Sequence, residues 1–265
     1  MSLAIPQYLI VSNVQDPSIR FEWDDWKHLP AKDVIDRDLS VRLETISQRA
    51  ILAMMCGTAE WIVYRFGRLS NDPTLWRYME GAWAMTIDVR YCGYGSGHWW
   101  GENSTKKWDG PIERPIADAI VRLQTAIQQL YWEGTDPGRR AGLIATLARY
   151  VMTEPDPYNR WLDQVIRRFE SLYPRTIEDQ LGEVVPRQAI DPDFDFRVEQ
   201  TEVLVNEFLA SLDYRSNDFL SSPEGMLDRS DEDEEDAVFH GIPYVFTIEG
   251  DRRARGVPVD ENDSQ

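Results

Sequence analysis

Two cysteines, three histidines and no long apolar run mark this 265-residue chain, and each scarcity excludes something. Cys56 and Cys92 fall in different predicted elements, so they supply no disulfide framework of the kind that holds small secreted proteins together. The most apolar stretch, Ala50 to Tyr64, contains Glu60. It stops short of the about 20 apolar residues that a membrane span needs. The N-terminal Met1-Ser2-Leu3-Ala4-Ile5-Pro6 lacks the basic-then-apolar order of a secretory signal. A soluble, cytoplasmic protein is expected. His28, His98, His240 and the two cysteines include no C-x-x-C or H-x-x-x-H pair, so no metal and no cofactor are expected.

Catalytic motifs are missing too. No G-x-S-x-G elbow and no Walker motif occur. Gly93-x-Gly95-x-Gly97 is too compressed for the dinucleotide fingerprint, and the residues before it, Ala82 to Arg90, read as helix where that fingerprint needs a strand.

Positive charge is the third shortage. The net charge is −18, and it is uneven: residues 1–173 hold 22 acids against 20 bases, residues 174–265 hold 24 acids against 8 arginines. Nucleic-acid binders need the opposite sign, because their affinity comes largely from phosphate neutralisation. An acidic surface repels nucleic acid and anionic membrane and favours a basic partner.

What the chain does have is apolar material at helical spacing. Hydrophobic residues make up 42% of it, with 10 Trp and 11 Tyr, which is enough for a packed core. Leu39, Leu43, Ile46, Ala50, Ala53, Met54, Gly57 and Trp61 recur at three- and four-residue steps, predicting one long helix from about Asp36 to Arg68. Asp72-Pro73, Asp136-Pro137 and Asp156-Pro157 each place a capping acceptor before a proline suited to a first helical turn. Helical patterns follow all three. Further helices are predicted from about Pro115 to Trp132 and from about Arg197 to Leu212. The expected fold is an all-α, antiparallel multi-helix bundle forming a single domain over 1–265. It comprises an irregular segment 1–35, a helical core 36–212 and an acidic extension 213–265. Two short strands are also expected, at Tyr8-Leu9-Ile10-Val11 and at Tyr244 to Glu249.

Two segments break the helical pattern and carry the candidate sites. The first is the glycine- and aromatic-rich loop 91–101, with Tyr94, His98, Trp99 and Trp100 as candidate partner anchors. An enzymatic alternative places a site in the same loop, with Cys92 or Ser96 as nucleophile, His98 as base, and Asp88 and Arg90 nearby. Against it, the glycines read simply as a turn that folds the aromatics onto the core. The second is the run Asp231-Glu232-Asp233-Glu234-Glu235-Asp236, preceded by Asp191, Asp193, Asp195, Glu199, Glu202, Glu207, Asp213 and Asp218. Such a run is ordinarily a solvated loop; within this wider acidic field it also suits recognition of a basic protein. Glu60, set among apolar residues beside Trp61, must be paired if buried, with Arg65 or Arg90 as the expected partner.

Phe219-Leu220-Ser221-Ser222-Pro223-Glu224-Gly225-Met226-Leu227, followed by Gly241-Ile242-Pro243-Tyr244, resembles the ending of helical immunity proteins encoded beside bacterial polymorphic toxins. The resemblance implies a cytoplasmic protein that binds and blocks a cognate toxin, without catalytic residues of its own. An acidic scaffold or regulator of a basic protein is the other binding reading. The gene next to an immunity protein should encode a toxin, which separates the two.

Overall fold

The computed structural model describes residues 5–11, 14–24, 36–70, 72, 75–91, 108–222 and 245–257. Among these the chain is all-α, with nine α-helices and no strand. They are α1 (Gln7–Val11), α2 (Arg37–Leu43), α3 (Gln48–Phe66), α4 (Leu75–Ile87), α5 (Gly110–Glu133), α6 (Gly138–Val151), α7 (Pro155–Leu172), α8 (Thr201–Ser211) and α9 (Ile248–Ala254).

The axis of the fold is α3. Every one of its residues is buried, and α4, α5, α6 and α7 pack around it. A helix apolar on all sides has no solvent face to offer, so it is stable only when enclosed. Its neighbours are amphipathic instead: α7 buries Trp161, Leu162, Val165, Ile166 and Phe169 and turns its charges outward. The packing order α3–α5–α6 follows from a sharp turn. Gly134, at φ 65°, donates its N–H to Leu130 while Thr135 donates to Gln129, a left-handed stop that returns the chain antiparallel.

The long helix expected over 36–68 is broken at Glu44–Ser47. Asp36 caps α2 by accepting the Leu39 N–H, and Ser47, in an extended conformation, starts α3 afresh by accepting the Ala50 N–H. The break is fixed from outside, by an isolated bridge between Ile46 and Pro174 and by the Ser47 N–H donated to the Tyr173 carbonyl. The proline starts also shift. Asp136 accepts the Gly138 N–H at 2.7 Å as a cap does, but the helix opens one residue late, at Gly138. The next helix opens on Pro155, which leaves Asp156 in a first turn where negative charge is favoured.

Both expected strands are helical or unpaired. Tyr8 to Val11 lie in α1, where the Leu9 and Ile10 N–H groups return to the Pro6 carbonyl. At the other end Phe246 donates its N–H to Asn206 Oδ1 and accepts from Asn206 Nδ2 on its carbonyl, both at 2.9 Å, in place of a neighbouring strand. Thr247 then caps α9 through the Gly250 N–H. The core is also wider than 36–212: Tyr8, Leu9 and Val14 from one end, and Phe219, Leu220 and Phe246 from the other, are buried in it.

Candidate functional site

Tyr94, His98, Trp99, Trp100 and the run Asp231 to Asp236 lie outside the described residues, as do Cys92 and Ser96. The structure does describe the residues that flank these segments, and it brings them together. Tyr91, the last described residue before the glycine-aromatic loop, is fully buried and accepts the Ser221 N–H on its carbonyl at 2.8 Å. Ser221 in turn lies within the acidic extension, just before residues 223–244. Leu220 and Phe246, on either side of residues 223–244, share one apolar cluster with Tyr91, Ile87, Val205 and Leu209. Tyr214 stacks on Tyr91 with ring centroids 6.2 Å apart. Asn217 locks the approach, donating to the Arg77 carbonyl at 2.9 Å and to Glu80 at 3.1 Å. No spacing in the sequence points to this convergence, because Tyr91 is more than a hundred residues from Tyr214 and Ser221.

The last third of the chain carries exposed carboxylates. Asp193, Asp195, Glu199, Glu207, Asp213 and Asp218 are all exposed. Among the described residues no ion pair forms at Asp193, Glu199, Glu207 or Asp218, and the pair Asp195–Arg197, at 3.4 Å and largely solvated, gives little neutralisation. Along α8, Val203 and Glu207 face outward four residues apart, with Glu199 exposed on the 3-10 turn that precedes the helix, while Leu204, Val205 and Leu209 face in. A rigid support holds the field in place. Arg168 donates to four carbonyls, those of Ala189, Asp191, Pro192 and Phe194, at 2.6–3.1 Å, fixing the turn that carries Asp191 to Asp195. The Asp213 carboxyl is lowered from its ordinary value by the Ser216 hydroxyl and by the Ser216 and Arg215 N–H groups.

Glu60 is a different kind of centre. It is fully buried, and its partner is neither Arg65 nor Arg90 but Arg187, whose Nε donates to Oε1 at 2.8 Å. Trp83 Nε1 donates to the same oxygen at 2.9 Å, and the Tyr8 hydroxyl donates to Oε2 at 3.0 Å. Arg65 is turned away, donating to the carbonyls of Val151, Asp16 and Ser18, and Arg90 clasps Asp88 at 2.7 Å. Burial and the adjacent Glu60 push the Tyr8 phenol up; burial pulls the Arg187 guanidinium down, and Glu60 more than reverses it. Burial also pushes up the Cys56 thiol, one turn away, which keeps it in the unreactive protonated form. The Glu60 carboxylate thus ties α1, α3, α4 and Arg187 together.

Among the described residues, no group of three or more His, Cys, Asp and Glu side chains could hold a metal ion. None of their helices is long and apolar enough to cross a membrane. No protein-family model, no curated protein and no solved structure matches this chain.

Proposed function

We propose that this chain is an acidic immunity or inhibitor protein, which binds a basic toxin domain in the cytoplasm and blocks it by occlusion, without chemistry of its own. One observation carries the reading. The described flanks of both candidate segments, Tyr91 on one side and Leu220 and Phe246 on the other, are rooted in a single apolar cluster, which joins the end of α4 to the acid-rich third of the chain. A charged field around a rigid base suits partner recognition, because fixed charges speed encounter and discriminate between partners. The aromatics of the 91–101 loop supply anchors of the type that dominate interface energies. Glu60, a carboxylate set among apolar residues in the sequence, is engaged in structural bonds to Tyr8, Trp83 and Arg187.

The test is binding to the product of the adjacent gene, measured as kinetics across a salt series. Neutralising Asp231 to Asp236 as Asn and Gln should lower the association rate at low salt by about tenfold or more and change the dissociation rate less. Glu199→Gln with Glu207→Gln should act in the same direction. An adjacent gene product that fails to bind, or a rate indifferent to both salt and neutralisation, removes the reading.

A further inference from the structure

Residues 245–257 attach to the body by side chains more than by helix packing. None of the residues of α9 is fully buried. Ahead of it, Phe246 plugs the second apolar cluster, and the Ile248 N–H donates to Glu202 at 2.8 Å. Everything beyond is ionic. Arg49 of the body donates to Asp251 at 2.7 Å. Arg252 donates to Glu183 at 2.8 Å, and Arg255 reaches Asp179 at 2.6 Å and Glu183 at 3.3 Å. The body therefore presents two carboxylates and one guanidinium, and the segment answers with two guanidinia and one carboxylate.

The receiving face is assembled without help from the segment. The N–H groups of Gln48 and Arg49, which open α3, donate to the carbonyls of Gln180 and Leu181. Asp179 accepts the Gly182 N–H on its other oxygen at 2.9 Å. Gly182 stands at φ 75°, where a Cβ would lie 2.3 Å from that of Ser47, so only glycine lets this turn sit on the start of α3. A receptor fixed by the body keeps its shape when its ligand leaves.

We infer that Asp179, Glu183 and Arg49 form an arginine-accepting site, and that residues 245–257 are its internal ligand, a displaceable strap shielding it from basic partners. The ligand chemistry is read from the strap: a helical turn of the form Asp-Arg-x-x-Arg, with an aromatic residue five positions before the aspartate. The Arg252–Glu183 pair is partly exposed, hence weak and screened by salt, whereas Arg49–Asp251 and Arg255–Asp179 are largely shielded from solvent. What favours the strap over an outside ligand is its tether, which keeps its local concentration high. Weakening the strap's own pairs hands the site to a ligand in solution. This goes beyond the inhibitor reading, and its test needs no toxin.

The probe is a fluorescein-labelled synthetic peptide of residues 245–257, titrated by anisotropy against the full chain. The variant Arg252→Gln with Arg255→Gln should bind it at least about tenfold tighter than the unaltered chain does, less so as salt rises. Adding Asp179→Asn and Glu183→Gln should remove the gain. Circular dichroism checks that each variant is folded. Absence of binding, equal binding to unaltered chain and variant, or binding that survives loss of both carboxylates would overturn the inference. Should the variant fail to fold, hydrogen exchange on the unaltered chain decides. Protection over Ile248 to Ala254 should fall when unlabelled peptide is added at about millimolar concentration, the range of a tethered ligand. Undiminished protection there also overturns it.

Discussion

Replacing Arg187 by alanine should be among the most destabilising single changes in this protein. Among the described residues Arg187 is the only cation bonded to the fully buried Glu60, and it holds that carboxylate at 2.8 Å. Removing one partner of a buried pair leaves the other charge uncompensated, at a cost of about 3–5 kcal/mol. The Tyr8 and Trp83 donors remain, at 3.0 and 2.9 Å, which places the expected loss toward the lower end of that range. For a chain of this size the corresponding fall in Tm is about 6–15 °C. Glu60→Gln is milder: the amide oxygen keeps Trp83 and Arg187, its NH2 can donate to the Tyr8 hydroxyl, and the guanidinium left unneutralised is partly exposed. A cost of about 1–2 kcal/mol is expected. The double variant Glu60→Gln with Arg187→Met should recover part of the Arg187→Ala loss, because no charge is then stranded. Urea denaturation followed by far-UV circular dichroism measures all three. An Arg187→Ala midpoint within about 1 kcal/mol of the parent, or a double variant less stable than Arg187→Ala, would refute the reasoning.

Two further outcomes follow from packing and titration. Gly57→Ala should destabilise by about 1–3 kcal/mol in the same assay, because its Cβ would lie 2.6 Å from Ile190 Cδ1 and 2.7 Å from the Trp161 ring, leaving no room without a shift of both; a neutral effect would show that the α3–α7 contact is looser than described. The Asp36 carboxyl is held below its ordinary value by the Leu39 N–H and by Arg149, and Asp179 is lowered because Arg255 and the Gly182 N–H outweigh its burial. Both are depressed in the folded state, so their stabilisation is present above the unfolded value of about 4 and is lost as pH falls further. Asp36→Asn, which keeps a capping acceptor, should therefore flatten the decline in stability between about pH 4 and pH 2; an unchanged slope would show that Asp36 does not contribute.

Helix identity was legible in the sequence because burial of one face imposes a local rhythm. The three- and four-residue spacing of α5, α6 and α7 reports their buried faces directly. The charge imbalance of the last third was equally plain, since it needs only counting. Boundaries were less so. Ile46 continues the apolar rhythm of α2 into α3, and only the bridge to Pro174 and the bond from Ser47 to Tyr173 turn that continuity into a break. The short apolar runs at Tyr8 and Phe246 look like strands because nothing local distinguishes a strand from a plug. Glu60 and Asn206, distant in sequence, give the Tyr8 side chain and the Phe246 backbone their partners and thereby decide the matter. Arg187 follows the same logic: a carboxylate among apolar residues announces that it needs a cation, but which arginine answers depends on where the chain returns after α7. The sequence by itself determined the helices, the sign of the surface and the need for a buried pair. Only tertiary structure decided which ends meet at Tyr91 and Ser221, which cation neutralises Glu60, and which arginines fill the site at Asp179 and Glu183, because each of those bonds joins residues that chain geometry alone leaves unrelated.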